Sequence, residues 1–454
     1  MKRNHSDLLH GPLLKNCIIY TVPIILSGVL QLLFNAADLV VVGQFCGSVS
    51  VAAVGATGAL INLIVNLFIG LSVGAGVLVA QGVGAGSYET VHRTVHTAIP
   101  LAFLSGLFLT AVGVSGARLF LSWMKTPADV IDLSAVYMKI YFCGITASML
   151  YNFGASVLRA TGDTRGPLLF LTAAGVLNVI LNLIFVIALH MDVAGVALAT
   201  AISQVLAAGL VLASLMHRSD AACFRLRDSR FYKKQLLQML RIGVPAGVQG
   251  SLFSISNVLI QSGVNSFGSV AMSGNAAAAN IEGFVYTSMN SLHQTAVNFI
   301  GQNYGAKQYG RIPRIVLCCL GCVTAVGLVM GGAGRLFADQ LLSVYVTDSP
   351  QAIAYGAVRM NYICLPYFLC GIMDVMTGVL RGLGASMLPM IISVVGVCGF
   401  RIFWITAIFA RPAWHTPQTL YLSYPISWVL TFSAELLVFL LLLRRLRGCE
   451  EAGS

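Results

Sequence analysis

A helix needs about 20 mainly apolar residues to cross the hydrocarbon of a bilayer, and this chain of 454 residues offers twelve such runs. They fall near 17–42, 50–80, 94–116, 131–157, 167–189 and 193–216. After a polar stretch at 217–235 come 237–264, 272–300, 315–337, 352–378, 388–410 and 419–443. Only 9% of the residues are charged, against roughly 25% in a soluble domain. A chain this apolar cannot keep a polar surface in water, whereas in lipid its surface has to be apolar. The prediction is an all-α integral membrane protein. The first two runs are long for one span, so tilting or kinking is expected. Pro23, Pro245, Pro366 and Pro425 lie in or at the ends of spans, where they break the hydrogen-bond ladder. The first ten residues are polar and the first apolar run exceeds a signal h-region, so no secretory signal is expected.

The net charge of +11 does not point to nucleic acid, because the basic residues form no single patch with interleaved aromatics. They instead follow the positive-inside pattern. With the N-terminus in the cytoplasm, the inner segments hold twenty Lys and Arg and the outer segments four, leaving Lys139, Arg359 and Arg401 inside spans. Both termini are therefore placed in the cytoplasm of a cell inner (plasma) membrane, with lipid around a monomer.

The chain repeats itself. Pro23 recurs as Pro245, and Leu158, Arg159, Gly162 and Pro167 recur as Leu380, Arg381, Gly384 and Pro389, all at a shift of 222. Gln81, Gly84, Ala85 and Tyr88 recur as Gln302, Gly305, Ala306 and Tyr309 at 221. The expected architecture is twelve transmembrane helices in two pseudo-symmetric six-helix lobes, residues 1–216 and 236–454, with 217–235 as a cytoplasmic linker. Six spans is an even number, so both lobes enter the membrane the same way, an arrangement suited to alternating access.

Ionisable side chains are costly at mid-bilayer and mark candidate sites. Gln31, Asn35 and Asp38 form one stripe of the first span. Asn178 and Asn182 pair on the fifth, and Thr200 and Gln204 on the sixth. At about 1.5 Å per residue, Asp38, Asn182 and Thr200 reach a common level in the outer half of the membrane. Two readings stand side by side: an ion site of one carboxylate with neutral oxygens, or a packing network of polar residues. The second lobe has Ile260 where Asp38 would align, and offers Glu282 and Asp374 instead. Arg359 or Arg401 could neutralise either. Glu282 is open between a functional role and a structural ion pair. Asp374 and Glu435 lean towards structure, as does Lys139. Tyr286 and Met289, with Met272 and Phe284, suit a pocket for flat organic molecules or ordinary packing.

Among eleven cysteines only Cys318, Cys319 and Cys322 are close in sequence. No second cluster follows them, so neither a metal site nor a disulfide framework is expected. The chain has no HExxH, P-loop or GxSxG motif, so enzymatic activity is not expected. No cofactor is expected beyond a coupling ion, and transport would draw on an ion gradient rather than nucleotide.

These residues resemble a known family. Asn35 to Asp38 with Gly43 and Gln44, Tyr151 to Ala155 with Leu158 to Asp163, and Asn178, Asn182, Gly195, Thr200 and Gln204 are similar to the multidrug and toxic compound extrusion (MATE) family. So are Ala278 to Phe284 with Gly301 to Ala306, and Met373, Asp374 and Leu380 to Gly384. Within the family the likeness is nearest to the bacterial branch with DinF-like and MepA-like members. The resemblance implies a twelve-helix antiporter that expels cationic or lipophilic small molecules, organic cations above all, in exchange for H⁺ or Na⁺. Asp38, Asn178, Asn182 and Thr200 would bind the coupling ion, and Asn35, Glu282, Asp374, Arg401, Tyr286 and Met289 are secondary candidates. Related sequences often carry a second Asp where this chain has Asn182, leaving a single carboxylate. The alternative is a flippase or exporter of a lipid-linked or polar precursor in the same superfamily.

Overall fold

The computed structural model describes residues 7–124, 126–127, 130–346 and 349–451. Lys2, Arg3 and Lys125 of the charge bias lie outside the described residues, as do both chain ends and the side chain of Arg447. Among the described residues there are helices and turns but no strand. The helices are α1 (Leu13–Phe45), α2 (Ser48–Gly84), α3 (Tyr88–Trp123), α4 (Ile131–Ala160), α5 (Arg165–Leu183), α6 (Asp192–Met216), α7 (Lys233–Asn265) and α8 (Ser269–Gly305). Then come α9 (Ile312–Leu336), α10 (Ala338–Tyr345), α11 (Pro350–Arg359), α12 (Tyr367–Gly382), α13 (Met387–Ser393), α14 (Phe400–Phe403) and α15 (Pro417–Glu451). Wider π turns extend α5 over Ile184–Ala188, follow α11 over Met360–Cys364, and flank α14 at Val394–Gly399 and Trp404–Phe409.

Among the described residues ten helices are long and apolar enough to span a membrane, and α11 with α12 makes an eleventh span bent by 42° at its break. Pro366 sits in that break and supplies its cause, since it has no N–H to donate. The twelfth expected span, α8, is 37 residues long but too polar to pass on composition. Its polar side chains turn inward: Asn275, Glu282, Ser288, Ser291, His293, Thr295, Asn298, Gln302 and Asn303 are all buried. A helix wrapped by α9, α11 and α12 does not need an apolar circumference, because protein rather than lipid meets its polar face.

Packing divides the chain into two units, Met1–Asp7 with Val22–Ser251, and Leu8–Thr21 with Leu252–Ser454. The sequence placed this division at 217–235, and the difference comes from α1 and α7. The first turns of α1 belong to the second unit: Thr21 Oγ1 meets Thr295 Oγ1 at 2.8 Å, Tyr20 stands edge-on to Phe299, and Asn303 Nδ2 donates to the Leu8 carbonyl at 3.0 Å. In the first unit α7 begins against α2. Gly70 and Gly74 face Gly243 and Gly247 so closely that a Cβ on Gly247 would stand 2.2 Å from the Leu67 carbonyl oxygen, and one on Gly70 2.2 Å from the Gly247 nitrogen. Glycine is the one residue that permits this crossing. Thr21 and Thr295 align with Gly243 and Gly74 in the repeat, so the two crossings are equivalent.

Backbone geometry carries the same repeat. Positive φ occurs at Gly47 and Gly268, at Gly86 and Lys307, and at Gly162 and Gly384, pairs separated by 221 or 222 residues. The 217–235 segment packs on the start of α3. The backbone N–H of Arg225 donates to His96 Nε2 at 3.0 Å, that of Arg230 to the His96 carbonyl, and that of Tyr232 to Thr97 Oγ1.

The α2–α7 crossing gives a direct test. Gly247→Leu must displace backbone and should lower the melting temperature of the purified protein, by the 1–3 kcal/mol of an overpacked core or more. Gly209→Ala on α6 has nothing within 4 Å of the added carbon and should leave the melt unchanged or raise it slightly. Equal melts for the two variants would refute the close approach.

Candidate functional site

In the first unit, α1, α5 and α6 bring the four candidate ion-coupling residues into one closed ring. The Asn182 side-chain amide donates to Asp38 Oδ1 and to Asn178 Oδ1 at 3.3 Å. Asn178 Nδ2 donates to Thr200 Oγ1 at 3.3 Å. The Thr200 hydroxyl is shared between Asp38 Oδ2 at 3.4 Å and the Val196 carbonyl at 3.0 Å. Asn178 and Asn182 are buried, while Asp38 and Thr200 are half-buried. Gly175 seats the ring. A Cβ there would lie 1.8 Å from the Phe34 ring, so any larger residue would have to turn that ring aside. Phe34 and Asp38 are one turn apart on α1, and Gly175, Asn178 and Asn182 share a face of α5.

The ring is not saturated. Asn182 is 1% exposed, and its Oδ1 has no hydrogen-bond partner. A buried acceptor without a donor costs roughly 1–3 kcal/mol, here beside a carboxylate. Thr200 has one proton for two acceptors, so its oxygen can offer a lone pair when the proton turns to Val196. One carboxylate with amide and hydroxyl oxygens is a donor set for a hard monovalent cation or a proton. Asn35 and Gln31, on the same stripe of α1, are exposed and do not join the ring. Gln204 also stays outside it.

The second unit treats its charges differently. Glu282 is gripped by Arg359, whose Nε donates to Oε1 at 3.0 Å and whose Nη2 donates to Oε2 at 2.7 Å. Arg359 Nη1 donates to Asn275 Oδ1 at 2.6 Å, which also accepts from the Tyr421 hydroxyl. The sequence left Arg401 as an alternative partner for Glu282 or Asp374. It pairs with neither: among the described residues it has no ion pair and no hydrogen bond, and its Nε has no partner. It lies 3.9 Å from the Tyr424 ring centroid because α14 turns it towards the aromatic residues of α15. A cation over a ring gains roughly 0.5–2 kcal/mol, against roughly 2.5–3.5 kcal/mol or more for a charge at mid-bilayer.

Asp374 is buried beside a second polar group. Its carbonyl accepts from His293 Nδ1 at 2.6 Å, and His293 Nε2 accepts from Arg381 Nη1 at 3.3 Å. This tautomer ties α8 to α12. Glu435, for which the sequence showed no partner, accepts from Thr377 at 2.8 Å and Ser393 at 3.1 Å. Lys139 is exposed. Met289 is 0% exposed, closed in by Gly327 and Gly371, so it is packing and not pocket lining. Tyr286 keeps 39% of its surface exposed and stacks on Tyr367 at 6.3 Å. Tyr367 packs on Trp428 at 5.4 Å, and Trp428 on Tyr424 at 5.8 Å. Tyr367, Tyr424 and Trp428 are not visible as a group in the sequence, because they lie on α12 and α15, well separated along the chain from Tyr286 on α8; only their aromatic character inside spans was available.

Space also supplies the thiol that the sequence did not. Cys17 of α1 joins Cys318 and Cys322 of α9, with all three sulfurs within 4.8 Å of one another. The third thiol lies on the first helix, far from Cys318 along the chain, where spacing alone does not connect them.

The single carboxylate of the ring can be tested by adding another. Asn182→Asp places two acids against each other, so a second positive charge is needed for neutrality. The variant should fold, and the pH or Na⁺ dependence of its transport should shift. An unchanged profile in vesicles would mean that Asn182 and Asp38 do not share an ion.

Comparison with known proteins supports the same architecture. The family model described as MatE matches residues 23–184 and again 245–405, starting 222 residues apart as the internal repeat does. The probable multidrug resistance protein YpnP of Bacillus subtilis (strain 168) is 26% identical over 439 residues, 95% of this chain and 96% of that one. The probable multidrug resistance protein YoeA of the same organism is 29% identical over 392 residues, 85% and 84% of the two chains. A multidrug resistance MATE family transporter of the MOP superfamily, solved in an outward-facing conformation, shares the fold with a TM-score of 0.89 at 20% identity over 99% of this chain and 100% of that chain. With both halves matched and nearly the whole length shared, this multi-pass membrane protein belongs to the MatE family of multidrug and toxic compound extrusion transporters.

Proposed function

We propose that the protein is a secondary antiporter that exports small organic molecules in exchange for inward H⁺ or Na⁺, with Asp38 as the coupling group. The observation that carries this reading is the closed ring of Asp38, Asn182, Asn178 and Thr200 with its unmatched Asn182 oxygen. A packing network alone would gain from matching every polar atom; an ion site needs lone pairs left over. The relatives' names as multidrug resistance proteins support a small-molecule cargo. The resemblance alone carries the expectation that this cargo is cationic.

Coupling follows from charge. An empty ring holds a negative carboxylate, and an occupied one is neutral. Pro23 lies fifteen residues earlier in α1, where its missing N–H weakens the helix. Neutralising Asp38 changes the field acting on the part of α1 beyond this weak point. An ion can drive cargo only if it favours one of two conformations. The ring meets that requirement if α1 stands differently against α5 and α6 in the two states.

The charge bias supports a plasma-membrane protein with cytoplasmic ends and a cytoplasmic 217–235 segment. In a Cys-free background, a cysteine in place of Arg225 should stay unlabelled by an impermeant maleimide in intact cells and react after the membrane is opened. Labelling from outside would invert the orientation.

The coupling role has its own test. Asp38→Asn carries no charge and cannot release a proton. It should reach the membrane, still bind cargo when purified, and lose at least about tenfold of gradient-driven efflux from energised vesicles. Asp38→Glu should retain part of the activity. Wild-type efflux by Asp38→Asn at equal expression would move the coupling site elsewhere, with Glu282 next in line.

A further inference from the structure

Three arginines lie inside the second unit: Arg381 and Arg401 are buried and Arg359 is half-buried, and of the three it is Arg401 that has no hydrogen bond or ion pair among the described residues. Arg359 spends its fork on Glu282 and Asn275. Arg401 is 5% exposed and meets no carboxylate, carbonyl or hydroxyl among the described residues. It lies eight residues from the end of the Met387–Phe409 span, about 12 Å along the helix, too deep for the guanidinium to reach the headgroup level by extending its stem. The ring of Tyr424 beneath it answers part of the charge but accepts none of the five N–H groups in a directed bond. A buried charge is ordinarily paired, and the same unit shows with Arg359 how it pairs one. Arg401 therefore lacks a partner that the chain does not provide.

Its surroundings say what that partner looks like. From Arg401 an aromatic chain runs through Tyr424, Trp428 and Tyr367 to Tyr286, with neighbouring ring centroids 5.4–6.3 Å apart. Tyr286 at its far end is the exposed member. π turns flank α14 on both sides of Arg401, the kind of irregularity that collects at functional positions. A planar fork of donors beside aromatic faces fits a flat molecule carrying a carboxylate or phosphate, the bidentate partners that arginine suits best.

We propose that Arg401, with the aromatic residues from Tyr424 to Tyr286, forms a binding site for an aromatic anion, and that this is part of the cargo. The proposal rests on the reading of the protein as a small-molecule exporter and names the charge of one class of cargo, opposite to the organic cations that the resemblance implies. Asp374 acts electrostatically on Tyr286 and Arg381 on its own helix offsets part of its charge, so the anionic end of the ligand belongs at Arg401 and its ring towards Tyr286. The same chemistry could come from an anionic lipid headgroup, so the test has to separate the two sources.

The experiment is fluorescence binding to the purified full-length protein in lipid nanodiscs, using anthracene-9-carboxylate and 9-(aminomethyl)anthracene, which share a ring and differ in charge. No ion gradient is present, so the outcome is independent of whether Asp38 couples transport. The wild-type protein should bind the carboxylate at least about tenfold more tightly than the amine. Arg401→Gln should lose at least about tenfold for the carboxylate and little for the amine, and Arg401→Lys should recover part of the loss. Equal or tighter binding of the amine by the wild type overturns the proposal without any variant. So does unchanged carboxylate binding by an Arg401→Gln protein that melts like the wild type. Nanodiscs of phosphatidylcholine and of phosphatidylglycerol separate the sources. Equal carboxylate affinity in both supports a soluble cargo, whereas competitive loss in phosphatidylglycerol assigns Arg401 to lipid headgroups and overturns the cargo assignment.

Discussion

The cost of leaving a polar atom unmatched where no water can reach it governs this structure more than any apolar contact. In the hydrocarbon the lipid-facing residues lose nothing by staying exposed, so apolar burial alone cannot hold the helices together. Close backbone approach and matched polar groups do that work. The Gly70–Gly247 crossing is one form, and the Thr21–Thr295 hydroxyl pair is its counterpart in the other half. Arg359 with Glu282 and His293 with Arg381 each tie two helices of the second unit, and Glu435 with Thr377 and Ser393 ties three. Other buried atoms stay unmatched even so, Ser203 Oγ, Gln204 Oε1 and Glu435 Oε2 among them. Asn182 Oδ1 stands out because it lies beside a carboxylate in a closed ring, and Arg401 because it carries a charge with no hydrogen bond among the described residues.

The same constraint explains why the fold was largely legible in the sequence. Span positions follow from apolar length, and eleven of the twelve expected runs are long and apolar enough in three dimensions as well. The exception, α8, fails the test of composition for a physical reason: it is surrounded by protein, so its own residues were free to become polar. The repeat was readable because turns that need positive φ keep their residues, as Gly162 and Gly384 do. Packing was less legible. Nothing along the chain says that Leu8–Thr21 packs with the second half, because a change of partner within one helix leaves no periodic trace except a proline near the change.

For the site, the level argument brought Asp38, Asn182 and Thr200 together because helical rise is a fixed quantity. The stripe on α1 also offered Asn35, which shares a face with Asp38 but is exposed and stays outside the ring, since a 7-residue stripe is wider than one contact. For Arg401 the sequence left Glu282 and Asp374 open as partners, and it meets neither. Counting charges suggests that a lone arginine finds the nearest acid, yet α14 turns it onto Tyr424 instead. For Met289 the sequence left pocket lining and ordinary packing side by side, and the structure packs it. Its neighbours Gly327 and Gly371 come from α9 and α12, which no reading of α8 alone could reveal.

The repeat gives a reason for the chemical contrast between the units. At the shift of 222, Asp38, Asn178, Asn182 and Thr200 align with Ile260, Phe400, Trp404 and Leu422. In the other direction Arg359, Arg401, Tyr424 and Trp428 align with Tyr137, Val179, Ile202 and Leu206. Each half has kept the helices and the π turn at the end of its fifth span, at Ile184–Ala188 and Trp404–Phe409, while placing its ionisable groups where the other half is apolar or aromatic. Two copies of one scaffold are thereby free of a shared constraint. If both halves held a carboxylate ring, ion and cargo would compete for like chemistry. With the ring's acid in one unit and, in the other, an arginine that none of that unit's acids pairs, a cation and an anion would be bound by the same fold without either site having to discriminate against the other's ligand.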